Sequence, residues 1–330
     1  MHSVGVIGAG AWGTALAVAV ARAGRQVTLW GRNYADLVEM ASRGENRNYL
    51  PGIRLTQVPR VTADLIDVIQ NDSVLLVLPA QEIRSLAPLI ALSVRPLQPL
   101  VICAKGIERG SGRLMTELLK EFIPQARLAV LSGPTFATEV ARGMPTAVTV
   151  AAADPLLASQ LATSFSSRSF RCYASDDLLG VELGGALKNV LAIACGVVSG
   201  KGFGDNARAA LMTRGLAELR RLGQALGAKP ETFMGLSGFG DLTLTCTSGQ
   251  SRNYSLGLAL GQGQTLDDIQ ADSPKLAEGL YTASAVVQRA EAAGVDVPIC
   301  AAVDAILNHG ADLDTTITSL LTRPLKAETA

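Results

Sequence analysis

The run Gly8-Ala9-Gly10-Ala11-Trp12-Gly13 constrains this chain more than any other segment. It follows an apolar stretch at residues 4–7 and opens a helical pattern over residues 14–23, so its glycines stand where a strand turns into a helix. Gly8 permits the tight turn, Gly10 lets backbone approach a pyrophosphate, and Gly13 lets helix and strand pack closely. The helix N-terminus adds a field that favours an anion. The segment therefore predicts a dinucleotide site and, with it, a parallel sheet.

The rest of the first half agrees. Short β-type runs recur at residues 4–7, 27–30, 74–78, 101–104, 128–131, 147–151 and 170–173, and helical patterns intervene at 14–23, 35–42 and 112–122. Alternation of this kind implies βαβ units. Beyond about Asp176 the β signals fade into Ala/Leu-rich helical segments at 178–198, 207–226, 255–260, 282–293, 299–308 and 315–321. Pro298 suits a helix start and Asp314 an N-cap. The expectation is an α/β, Rossmann-type doubly wound N-terminal domain over residues 1–176, then an all-helical domain over 177–330 that carries substrate and catalysis. Residues 327–330 read as a loose tail.

Composition narrows the partners. Lys plus Arg and Asp plus Glu both number 29, so no global basic field exists to attract nucleic acid or anionic lipid. The five cysteines lie apart, without metal-ligand spacing, and the two histidines, His2 and His309, form no zinc site with them. No metal is expected. The N-terminus lacks the basic region of a signal peptide. The apolar run at 183–198 comes nearest to a membrane span, but Lys188 and Asn189 interrupt it. These features predict a cytoplasmic, soluble enzyme of small molecules, with a homodimer as the common assembly.

After the second strand, at Leu29-Trp30-Gly31-Arg32, the acid that usually binds the NAD ribose is missing. Arg32 is then either a partner for the 2′-phosphate of NADP or a solvated surface arginine. The first reading favours NADPH over NADH.

Further segments carry a resemblance: Cys103-Ala104-Lys105-Gly106-Ile107-Glu108, Ser132-Gly133-Pro134-Thr135-Phe136-Ala137, Leu183-Gly184-Gly185-Ala186-Leu187-Lys188-Asn189, Gly238-Phe239-Gly240-Asp241-Leu242 and Gln250-Ser251-Arg252-Asn253. With the glycine turn, this set resembles the bacterial NAD(P)-dependent glycerol-3-phosphate dehydrogenase family over nearly the whole chain. The resemblance implies reversible hydride transfer between NAD(P)H and dihydroxyacetone phosphate to give sn-glycerol 3-phosphate, a supply for glycerophospholipid synthesis. It implies Lys188 as proton acceptor, and Lys105, Gly133, Thr135, Asp241, Ser251, Arg252 and Asn253 as substrate-binding positions. Gly8, Gly10, Ala11, Trp12, Gly13, Arg32, Lys105, Ala137, Arg252 and Glu278 fall to the cofactor. Ala11 and Arg32 stand where the family often has Ser and His.

The residues themselves bear on this chemistry. A carbinol proton needs a partner whose pKa lies near ambient pH, and Lys188 lies in a helix apolar nearly all round, where desolvation lowers a lysine. The alternative is a lysine snorkelling to the surface. Asp241 either holds the Lys188 ammonium or a substrate hydroxyl, or it caps the next helix. Ser251-Arg252-Asn253 precedes a helix and is either a phosphate grip or a solvated loop. Competing functions are a 6-phosphogluconate or β-hydroxyacid-type dehydrogenase, and a non-catalytic dinucleotide sensor.

Overall fold

A computed structural model describes residues 1–272 and 277–324. Its sheet contains β1 (Ser3–Ile7), β2 (Gln26–Trp30), β3 (Arg60–Thr62), β4 (Ser73–Leu76), β5 (Pro99–Ile102), β6 (Arg127–Ser132), β7 (Thr146–Ala152) and β8 (Phe170–Ser175). Their spatial order is β3-β2-β1-β4-β5-β6-β7-β8. Strand order reverses beside β1, so the carboxyl ends of β1 and β4 flank the crevice in which sheets of this kind bind ligands.

Residues alternate between the two faces. Val4, Val6, Leu75, Val101, Ala129 and Leu131 enter a core with the helix Ala11–Arg22, while Ile7, Val74, Leu76, Leu100, Ile102 and Val130 enter a core on the opposite face. Burial on both faces is why these strands read as continuous apolar runs. The sheet departs from the expected all-parallel form at one place, because β6 and β7 pair antiparallel. The three-residue β3, with Arg60 exposed, left too short and polar a run to be expected from sequence.

After β8 the described chain is helical. The 23-residue helix Leu178–Gly200 forms its axis and is buried from Gly180 to Val197. It has the length and hydropathy to cross a bilayer, yet 89% of that window is buried inside the protein. The helix Arg252–Gly261 crosses it closely: a Cβ on Gly257 would lie 1.9 Å from the Ile193 carbonyl, and one on Gly196 would lie 2.1 Å from that of Tyr254. Pro298 does start its helix. Asp314 is not the cap expected of it; Asp312 takes that role, its carboxylate accepting from the Thr315 N–H at 2.8 Å, and Asp314 lies in the first turn. The expected tail at 327–330 lies outside the described residues.

Candidate active site

The glycine turn closes over the carboxyl end of β1. Gly8 has φ +119°, and a Cβ there would sit 2.2 Å from the Val77 carbonyl oxygen. A Cβ on Gly13 would sit 1.7 Å from the Gly8 carbonyl oxygen. Both glycines are demanded by the chain itself. Gly10 is different: its φ of −71° is ordinary and a Cβ would meet nothing within 4 Å. The space over Gly10 opens where backbone must approach a pyrophosphate, which fits a dinucleotide. Ala11 begins the helix, which has no side-chain cap and no acid in its first turn, so its N–H groups stand ready for an anion. Trp12 packs against the core below, with its buried Nε1 unpartnered in the protein. Asn46, which the sequence did not single out, donates to the Ala9 carbonyl at 3.0 Å and to Thr14 Oγ1 at 2.7 Å, fixing the turn.

Farther along the sheet edge, Lys105 follows β5 and Gly133 follows β6. Lys105 Nζ donates to the Gly133 carbonyl at 2.9 Å, to Thr135 Oγ1 at 3.3 Å and to Asp241 Oδ2 at 2.8 Å. Lys188 Nζ donates to the other oxygen of that carboxylate, Asp241 Oδ1, at 2.6 Å, and to Thr245 Oγ1 at 2.7 Å. Asp241 thus holds one lysine on each oxygen, its side chain only 1% exposed. Thr245 donates in turn to the Asp241 carbonyl at 2.6 Å.

Burial pushes the Lys188 ammonium down to about 8; the Asp241 carboxylate opposes the shift and Lys105 adds to it. An amine poised there exchanges a proton near neutral pH.

Asn189, beside Lys188, donates to the Lys105 carbonyl at 2.7 Å and accepts from Asn253 Nδ2 at 2.9 Å, while Asn253 Oδ1 accepts from the Gly279 N–H at 3.0 Å. This chain of amides ties the lysine helix to the start of the helix Gly279–Ala292 and to that of the helix Arg252–Gly261. Arg252, exposed, is the first residue of that helix, and Ser251 is its N-cap, its Oγ accepting from the Tyr254 N–H at 3.2 Å. Glu278 accepts from the Ala80 N–H at 3.3 Å just past β4, and burial raises its carboxyl above the ordinary value. Ala137 opens a short helix whose final carbonyls, Val140 and Ala141, accept from Arg22. Arg32, at the end of β2, is exposed and paired with Glu82.

Thr245 and Glu182 carry no local signal that would have marked them, and Asn189 stood out only as a polar break in an apolar run. Glu182 lies six residues before Lys188 and accepts from the Thr116 N–H at 3.0 Å and from Thr116 Oγ1 at 2.6 Å. It fastens the lysine helix to the helix Met115–Phe122 of the sheet region.

Known proteins resemble this chain over nearly its whole length. The sequence model described as NAD-dependent glycerol-3-phosphate dehydrogenase N-terminus matches residues 3–158, and its C-terminal counterpart matches residues 177–318. The chain belongs to this family. It is similar to a glycerol-3-phosphate dehydrogenase [NAD(P)+] of Rhodospirillum rubrum, 54% identical over 98% of this chain and 93% of that protein. A relative of the same name from Parvibaculum lavamentivorans is 51% identical over 99% and 98%. Among solved structures, glycerol-3-phosphate dehydrogenase from Coxiella burnetii superposes with TM-score 0.91 at 37% identity, covering 98% of this chain and 99% of that one. D-mandelate dehydrogenase shares the fold alone, at 13% identity and TM-score 0.64 over 97% of this chain and 100% of that one.

Proposed function

We propose that the chain interconverts dihydroxyacetone phosphate and sn-glycerol 3-phosphate with NAD(P)H, that Lys188 carries the proton, and that NADPH is the favoured cofactor. The observation that carries this reading is the Lys188–Asp241–Lys105 centre beside a dinucleotide turn of the right shape. A bound nicotinamide supplies or accepts the hydride. Lys188 gives its proton to the carbonyl oxygen in reduction and takes it back from the hydroxyl in oxidation. Asp241 holds the lysine in place, and Lys105 adds positive charge where the substrate oxygen becomes negative.

Arg252 supplies the charge for the substrate phosphate, on a helix start whose first-turn N–H groups favour an anion. Ser251 and Asn253 frame it, and Gly133 and Thr135 support Lys105 on the sheet side. Gly8, Gly10, Ala11, Trp12 and Gly13 hold the pyrophosphate region, with Ala137, Glu278, Lys105 and Arg252 along the rest of the cofactor. Arg32 serves the 2′-phosphate. In this reading residues 1–176 bind the dinucleotide and residues 177–330 provide the catalytic helices. We further propose a cytoplasmic homodimer that feeds glycerophospholipid synthesis; the helix Leu313–Leu321, which buries none of its own residues, supports an additional interface, and sedimentation of the full chain tests it.

The phosphate assignment has a direct test in kcat/KM for dihydroxyacetone phosphate and for unphosphorylated dihydroxyacetone. A site built for a dianion leaves its donors unpaired with the analogue, so the wild type discriminates by orders of magnitude and Arg252→Ala shrinks the gap. Equal slowing of both ketones by Arg252→Ala would move the phosphate site elsewhere.

A further inference from the structure

The acid missing after β2 has a spatial substitute. Strand order sets β2 and β4 on either side of β1. Arg32 follows β2, and Glu82 lies in the helical turn Ala80–Glu82 that follows β4. Glu82 Oε2 stands 3.5 Å from Arg32 Nη1, so the pair joins the two walls of the crevice beyond the glycine turn. That turn after β4 is well anchored. The Ala80 N–H donates to Glu278, Gln81 Nε2 donates to the Ile107 carbonyl at 2.8 Å, and Gln81 Oε1 accepts from the Arg109 N–H at 2.9 Å. Among the described residues, Arg32 is the ion-pair partner of Glu82, whose side chain is 43% exposed.

We infer that Glu82 is a specificity-determining residue: it supplies, from β4, the carboxylate that a ribose 2′-hydroxyl requires, and it opposes a 2′-phosphate at the same place. Arg32 and Glu82 then make one site with two settings. With NADH, the carboxylate accepts from the ribose hydroxyl. With NADPH, the phosphate takes Arg32 and must displace Glu82 from it, against like-charge repulsion. The inference rests on the reading of Arg32 as the 2′-phosphate partner.

The test is the Kd of NADH and NADPH, measured by nucleotide fluorescence on the full chain as wild type, Glu82→Gln and Arg32→Ala. Glu82→Gln should tighten NADPH and weaken NADH, each by about threefold, an order of magnitude set by one partly exposed charge pair. Opposite movement is the decisive sign, because a merely structural loss moves both cofactors together. Glu82→Lys should enlarge the shift in the same directions. Should Glu82→Gln leave the ratio of the two constants unchanged while Arg32→Ala weakens NADPH selectively, the Glu82 assignment falls and the Arg32 reading stands. If Arg32→Ala leaves the ratio unchanged, the Arg32 reading falls, and the settings assigned to Glu82 fall with it.

Discussion

The two halves of the site are built by different means. The dinucleotide turn is contiguous, made mostly of backbone, and two of its three glycines are fixed by clashes the chain would have with itself. The lysine–carboxylate centre is made of side chains drawn together from far apart: Lys188 and Asp241 are 53 residues apart, and Lys105 and Asp241 are 136. The turn is therefore contiguous in sequence and tolerates little change in shape, although Gly8 is hemmed in by the Val77 carbonyl from beyond β4. The centre is a tertiary property, in which each charge depends on the others.

The sharpest way to break the contrast is Lys188→Met, which removes the proton carrier and leaves the turn untouched. Turnover should fall by about 10²–10⁴-fold, the usual contribution of a general acid–base, while the Kd for cofactor stays close to wild type. Steady-state kinetics beside a cofactor titration checks both; a variant keeping more than about a tenth of kcat would sink the assignment.

Within the turn, Gly13→Ala and Gly10→Ala should behave oppositely. The first drives a methyl onto the Gly8 carbonyl, and we expect a loss of about 3 kcal/mol or more in stability from overpacking against backbone. The second meets nothing in the protein, so stability should stay within about 0.5 kcal/mol, while cofactor binding weakens by about tenfold, the order of one lost charged hydrogen bond. Chemical denaturation and cofactor titration on both variants separate a glycine needed by the fold from one needed by the ligand. Similar stabilities for the two would erase the distinction.

The smallest effect, and the most specific to the charge centre, is a shift in pH dependence. With the Lys188 ammonium lowered to about 8, ketone reduction, which uses the protonated form, should decline as pH rises through about 8. Alcohol oxidation, which uses the free amine, should rise over the same range. Asp241→Asn removes the carboxylate that holds the lysine up, so both limbs should move to lower pH. Profiles of kcat in the two directions measure this, and limbs that stay in place would show that Asp241 does not govern the lysine.

Much of this protein was legible from residue order. The glycine turn, the apolar strands buried on two faces, the change to a helical second half and a lysine inside an apolar helix all follow from local patterns, because period, turn chemistry and burial are written in neighbouring residues. The partners of those residues were not legible. Asp241 was open between a cap and an ion-pair role until folding put both lysines on its two oxygens. Thr245, Asn46 and Glu182 have no sequence signal, because the partners that give each its role, Lys188, Ala9 with Thr14, and Thr116, are brought near only by the fold. Arg32 shows the same limit most plainly: no acid stands directly after β2, and Glu82 reaches it only because strand order sets β2 and β4 on either side of β1. Chain order fixes which groups exist and the local shape that carries them, whereas the direction of a side chain and the charge it meets depend on contacts between elements, which only the assembled fold supplies.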